Sequence, residues 1–254
     1  MFTPKGKFAW YELMTSDTKA AGKFYSDVVG WTTQEMPGDG PPYTVFNLGN
    51  VGIAGMLSMT GHSGWIGYIS VDDVDAHVEK IVEAGGKLWK PATDVPGVLR
   101  FAVLSDPQGA AIVVFTPNPA MPSPVRPAPP TPGTIGWHEL YTTDLDGAFS
   151  FYNQLFGWTK VSDMDMGAMG LYRIFDEGDH KQMGDGGMMN KAPHIPVSCW
   201  NFYFCVDSIK AAVKRVEAGG GKVLNGPMQV PGGGWIINGQ DPLGAMFSLV
   251  GSQE

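Results

Sequence analysis

Apolar and polar residues alternate over Lys7–Met14, which begins with aromatic side chains, and this predicts a β-strand. Asp17 follows as a helix cap. Ala21, Phe24, Tyr25 and Val28 then recur at helical spacing and mark one apolar face. Gly30 stands where the chain leaves that helix. Strands are predicted over Tyr43–Leu48 and Val51–Met59, joined by a Gly-Asn turn, and over Trp65–Val71. Val74, Val78, Ile81 and Val82 form a second helix face, stopped by Gly85-Gly86. Arg100–Leu104 and Ala111–Phe115 read as strands on either side of an Asp-Pro-Gln-Gly type I turn. The order is βαβββ twice, so the fold class is α+β.

The same text then repeats. Residues 10–32 read WYELMTSDTKAAGKFYSDVVGWT and residues 137–159 read WHELYTTDLDGAFSFYNQLFGWT, with Ala148, Phe151, Tyr152, Leu155 and Gly157 restating the first helix and its stop. Further on, Trp65, Tyr68, Val71 and Asp72 match Trp200, Tyr203, Val206 and Asp207, and Asp106-Pro107-x-Gly109-Ala110 matches Asp241-Pro242-x-Gly244-Ala245. The second half carries extra residues somewhere in 160–199. Between the halves, PNPAMPSPVRPAPPTPGT holds eight of the chain's 20 prolines and reads as a semi-rigid spacer. The expected organisation is a first domain over 1–116, a linker over 117–134 and a second domain over 135–254.

Composition narrows the function. A net charge of −8 argues against nucleic-acid binding. Gly, at 35 of 254 residues, is about twice its ordinary usage, which suits short strands and tight turns. No stretch has the length of a membrane span and the N-terminus carries no apolar signal region, so a cytoplasmic protein is expected. The two cysteines, Cys199 and Cys205, are too far apart on one strand for a disulfide and fit no zinc spacing.

The first helix with its Phe-Tyr pair, the Val-Asp strand end, the Gly-Gly helix stop and the DPxG turn recur twice in one order. That combination resembles the vicinal oxygen chelate superfamily, the group of glyoxalase I, bleomycin-resistance proteins and extradiol dioxygenases. The tandem Trp-x-Glu-Leu form is similar to its two-domain glyoxalase-like branch. The resemblance implies two tandem domains, each a pair of βαβββ units forming a half-open barrel with its site on the concave face. It also implies an internal pseudo-dimer, which is compatible with a monomer in solution. Family metal ligands would fall at Trp10, Gly67 and Val113 in the first half, and at Trp137, Phe202 and Ser248 in the second. None of these is a strong ligand for a divalent ion. The expectation is therefore no metal and no other cofactor. The alternative is a divalent Fe, Zn, Ni or Mn in a rearranged ligand set; a one-residue slip would bring in His138.

Alternation places Trp10, Glu12 and Met14 on one strand face, and Trp137, Glu139 and Tyr141 on its counterpart. Glu12 and Glu139 are the candidate acid–base residues, because a carboxylate against indole and thioether surface should ionise less readily. A structural Glu at the barrel mouth is the competing reading. Trp65, Trp200, Phe202 and Phe204 would give the cleft aromatic walls, suited to a flat hydrophobic ligand, or fill the core. Met56, Met59, Met183, Met188 and Met189 are placed on the hairpin strands as cleft lining or packing. Arg100 has no basic counterpart and could hold a substrate carboxylate. His62, His77, His180 and His194 read as loop or helix-surface residues; no G-x-S-x-G surrounds Ser63.

Three functions fit: a metal-independent pocket protein for a small hydrophobic or aromatic molecule, a metal-free lyase or isomerase using Glu12 or Glu139, and a metal-dependent glyoxalase-like lyase or dioxygenase.

Overall fold

A computed structural model describes residues 5–37, 42–61, 63–121 and 125–254. His62 and part of the proline spacer lie outside the described residues. The first half runs β1 (Phe8–Thr15), α1 (Thr18–Val29), β2 (Thr32–Met36), β3 (Tyr43–Leu48), β4 (Val51–Ser58), β5 (Gly64–Ser70), α2 (Val74–Glu83), β6 (Lys87–Val95), β7 (Leu99–Ser105) and β8 (Ala111–Pro117). The second runs β9 (Ile135–Thr142), α3 (Leu145–Phe156), β10 (Thr159–Asp165), β11 (Leu171–Asp176), β12 (Gly186–Asn190), β13 (Cys199–Ser208), α4 (Ile209–Ala218), β14 (Lys222–Gln229), β15 (Trp235–Gln240) and β16 (Met246–Ser252). Each half forms one eight-stranded mixed sheet, ordered β2-β3-β4-β1-β5-β8-β7-β6 and β10-β11-β12-β9-β13-β16-β15-β14.

The helices begin and end where capping chemistry directs. The Asp17 carboxylate accepts from the backbone N–H of Lys19 and Ala20, and Asp144 accepts from Gly147. Gly30 (φ 91°) and Gly157 (φ 76°) close α1 and α3 in the left-handed region that suits glycine. The second apolar face is narrower than the sequence suggests: on α2, Val74 and Ile81 are buried while Val82 is exposed. The outermost strands β2, β6, β10 and β14 show mostly exposed residues, so no alternation marks them in the sequence. The added length of the second half falls partly between β11 and β12, which residues 177–185 connect, whereas Gly49 and Asn50 alone join β3 to β4. Met183 lies in that connection, exposed, and not on a strand.

The chain divides into two compact units, and each draws on both halves. One comprises Met1–Trp10, Ile66–Ser123 and His138–Trp200. In it Tyr152 of α3 donates to Asp106 at 3.1 Å, Trp200 donates to the Tyr152 hydroxyl at 2.9 Å, and the Trp158 indole N–H reaches the Gly6 carbonyl. Trp158 stacks between Tyr152 and Phe175, at 4.8 and 4.6 Å. The other unit comprises Tyr11–Trp65, Pro124–Trp137 and Asn201–Glu254. There Tyr25 of α1 donates to Asp241 at 3.2 Å, Trp65 donates to the Tyr25 hydroxyl at 2.9 Å, and Trp31 donates to the Gly133 carbonyl at 2.7 Å. The recurrent Trp, Tyr and DPxG Asp are thus the parts of one repeated buried hydrogen-bond chain. No described helix is long and apolar enough to cross a membrane. Both cysteines are free thiols.

Candidate active site

Glu139 sits on β9 and is 6% exposed. The parallel neighbour β12 sets Gly187 opposite it and Met189 opposite Tyr141, and β11 sets Tyr172 opposite Met189. Tyr172 therefore reaches back over Gly187, and its hydroxyl donates to Glu139 Oε1 at 3.0 Å. A Cβ on Gly187 would overlap the Tyr172 ring, so glycine is what lets the phenol lie there. Tyr141 donates to the other carboxylate oxygen, Oε2. A buried carboxylate is thus held in one orientation by two phenols.

Cys199 stands in the same neighbourhood. Its thiol is pushed up to about 11, first by burial and then by the negative charge of Glu139, with Lys191 opposing. Next to Glu139 on β9, His138 turns to the other face, where it packs on Phe8 at 4.6 Å and lies 3.2 Å from the buried Glu177 carboxyl. Burial pushes Glu177 above the ordinary carboxylate range, and the His138 imidazole pulls it back.

The first half repeats the arrangement in simpler form. Glu12, 8% exposed, lies opposite Gly55 of β4, and Tyr43 donates to its Oε2 at 3.0 Å. Tyr43 pairs with Leu57, which pairs with Met14, so Tyr43 corresponds to Tyr172 and Met14 to Tyr141. Among the described residues, a second phenol bonded to the carboxylate is seen at Glu139.

The remaining sequence candidates are dispersed. Trp65 and Trp200 are tied by their indole N–H groups to Tyr25 and Tyr152 in the packing beneath α1 and α3. Phe202 meets Tyr11 edge-on at 5.1 Å, and Phe204 packs against Trp31 at 5.0 Å. Trp10 and Trp137 are half-buried. Arg100 is bound by Asp75 at 2.8 and 2.9 Å and by Asp94 at 3.0 Å. Ser248 is fully buried and accepts from Asn201 and Asn238, each at 2.7 Å. Met56 and Met188 are core residues. Sequence reasoning missed Tyr43, Tyr172, Asn201 and Asn238. A signal existed for the tyrosines: Tyr43-Thr-Val45-Phe46 and Tyr172-Arg-Ile174-Phe175 repeat one pattern.

The Glyoxalase/Bleomycin resistance protein/Dioxygenase superfamily profile matches residues 7–114 and again 134–249. The chain belongs to that superfamily. Its relatives include "Putative glyoxylase CFP32" of Mycobacterium tuberculosis, 34% identical over 95% of this chain and 93% of that protein. "Anthracycline biosynthesis protein DauV" of a Streptomyces species is 30% identical over 100% of this chain and 95% of the relative. Among solved structures, the Mn(II)-bound glyoxalase of Novosphingobium aromaticivorans superposes with a TM-score of 0.68 at 15% identity, covering 98% of this chain and 83% of that one.

That likeness corrects the expectation of no cofactor. The expectation rested on weak ligands at the family positions, and a metal-bound glyoxalase on this fold removes that ground. The side chains at Glu139 do not themselves compose an ion site. Two phenols hold the carboxylate, and no three His, Cys, Asp or Glu gather for an ion among the described residues.

Proposed function

We propose that this superfamily member is a glyoxalase-like lyase or isomerase that moves a proton beside the carbonyl of a small aromatic molecule, with Glu139 as its acid–base residue. The Glu139–Tyr141–Tyr172 cluster carries the reading. Glu139 takes the proton from the carbon next to the carbonyl, the C–H electron pair becomes the C=C bond, and the carbonyl oxygen becomes an enolate. A protonated carboxyl accepts hydrogen bonds more weakly than a carboxylate. Tyr172 can then turn its hydrogen to the enolate oxygen. Returning the proton to the carbon it left restores the ketone; where that carbon bears a hydroxyl, the hydroxyl proton passes to the enolate oxygen as Glu139 delivers its proton to the former carbonyl carbon, and the C=O moves by one carbon. Trp10 and Tyr141 are the proposed contacts for the aromatic body in the unit that holds Glu139; in the other unit Glu12 with Tyr43 is the corresponding pair, and Met14 and Trp137 are its proposed contacts. The relative named for anthracycline biosynthesis supports an aromatic substrate bearing carbonyls.

The test is hydrogen exchange in D2O with 2-hydroxyacetophenone, read by NMR. Wild type is expected to exchange the protons beside the carbonyl, and Glu139→Gln to slow this about 100-fold or more while melting as wild type does. Equal exchange in folded Glu139→Gln protein removes Glu139 from the role. A second reading, a divalent-metal-dependent lyase or dioxygenase with a rearranged ligand set, is supported by the Mn(II)-bound glyoxalase. Stoichiometric Fe, Zn, Ni or Mn in purified protein, with turnover lost to a chelator, would carry it.

A further inference from the structure

Ser248 of β16 is fully buried, and its Oγ receives Asn201 Nδ2 and Asn238 Nδ2 at 2.7 Å each. Its neighbour Phe247 packs on Phe24 of α1 at 5.6 Å, so Ser248 points to the sheet face away from that helix. Asn238 has both N–H groups engaged. Its Nδ2 also reaches the Tyr203 hydroxyl at 3.2 Å, and its Oδ1 accepts from Asn225 at 3.0 Å.

Asn201, half-buried, is not saturated. Two incoming N–H groups use both lone pairs of Ser248 Oγ. The Ser248 hydrogen, the second Asn201 N–H and Asn201 Oδ1 then have no partner among the described residues. Turning the Asn201 amide over changes only the owners: Ser248 donates to Oδ1, and both Asn201 N–H groups are released. Either way, two donors and two acceptor lone pairs are left among the described residues.

We propose that Asn201, posted on Ser248, reads the edge of a neutral cyclic amide, a lactam or imide. The ligand's carbonyl oxygen accepts the spare Asn201 N–H, and its N–H donates to Asn201 Oδ1. A ring is required because an open-chain secondary amide is almost wholly trans and sets its N–H and C=O on opposite edges. A carboxylate would bring no hydrogen for Oδ1 and would set its own lone pairs against that oxygen. Asn201 is the specificity-determining residue, and Ser248 positions it. Binding here is independent of turnover at Glu139.

The probe is isoquinolin-1(2H)-one, compared with its N-methyl derivative, in ligand-observed NMR titrations of the full chain. Wild type is expected to bind the lactam about tenfold more tightly than the N-methyl compound, which lacks the donor. Asn201→Leu should erase that ratio. Asn201→Asp, near in shape but without N–H groups, should weaken lactam binding by at least as much. Ser248→Ala should lower the ratio severalfold with no loss of a ligand-facing amide. Melting curves establish that each variant folds, and if Ser248→Ala does not, the two Asn201 variants decide. No binding of either compound, equal affinity for both, or an unchanged ratio in folded Asn201→Leu protein overturns the assignment.

Discussion

The hydroxyl of Tyr25 donates to Asp241 at 3.2 Å, joining the first helix of the chain to a turn near its end. The same hydroxyl accepts from Trp65, and the Asp241 carboxylate also accepts from the backbone N–H groups of Leu243 and Ala245. Tyr25→Phe leaves the Trp65 N–H and one Asp241 oxygen without their partner in a buried place. Urea unfolding should show a loss of about 1–3 kcal/mol. Tyr152→Phe should cost a similar amount through Trp200 and Asp106. A loss below about 0.5 kcal/mol in both would mean that water takes over these contacts.

These contacts explain how far the sequence could be read. Trp31/Trp158, Tyr25/Tyr152 and Asp106/Asp241 are visible as repeats because each does the same packing work twice. What the repeat cannot reveal is the exchange: Tyr25 bonds the second half's Asp, and Tyr152 the first half's. Helix ends were legible because Asp17 and Gly30 have strong local preferences. The outer strands were not, because β2 is exposed on both faces and carries no alternation. Alternation also groups Trp200, Phe202 and Phe204 on one face of β13 without saying which face meets a helix. Tyr172 was hidden because its role depends on a glycine of the next strand, Gly187, across the 177–185 connection.

Gly187→Ala tests that dependence. The new methyl overlaps the Tyr172 ring, so the phenol must leave Glu139 or the β12 backbone must shift. Overpacking of this kind costs about 1–3 kcal/mol. Exchange activity should fall with it, and Tyr172→Phe should reproduce the activity loss with a smaller stability loss. If Gly187→Ala is active and stable, the Tyr172 contact does not matter to turnover.

Cys199 reports on the charge of Glu139. With its thiol held up to about 11, little thiolate exists at pH 8, and iodoacetamide should label Cys199 far more slowly in native protein than after unfolding. Because the Glu139 charge is one cause of that elevation, Glu139→Gln should raise the native labelling rate. Peptide mass spectrometry reads the two cysteines separately. An unchanged Cys199 rate would show that burial alone protects it.

Acid titration should separate two kinds of aspartate. Burial raises the Asp106 and Asp241 carboxyls above their ordinary range, against the backbone N–H groups that each accepts. A folded value above the unfolded one, about 3.9, gives stability that is fully present below that pH and is lost as pH rises through the raised value. Asp176 is the reverse. Burial alone would raise it, but the N–H groups of Lys181, His180 and Gly178 outweigh burial and hold it low. Its contribution is present above about pH 3.9 and is lost as pH falls through the lowered folded value. Asp176→Asn should therefore destabilise most near neutral pH, with the difference from wild type closing below about pH 4. Asp241→Asn should show the opposite slope, gaining on wild type as pH rises from about 4. Urea midpoints at half-unit pH steps read both, and parallel curves for the two variants would mean that neither carboxyl titrates differently on folding.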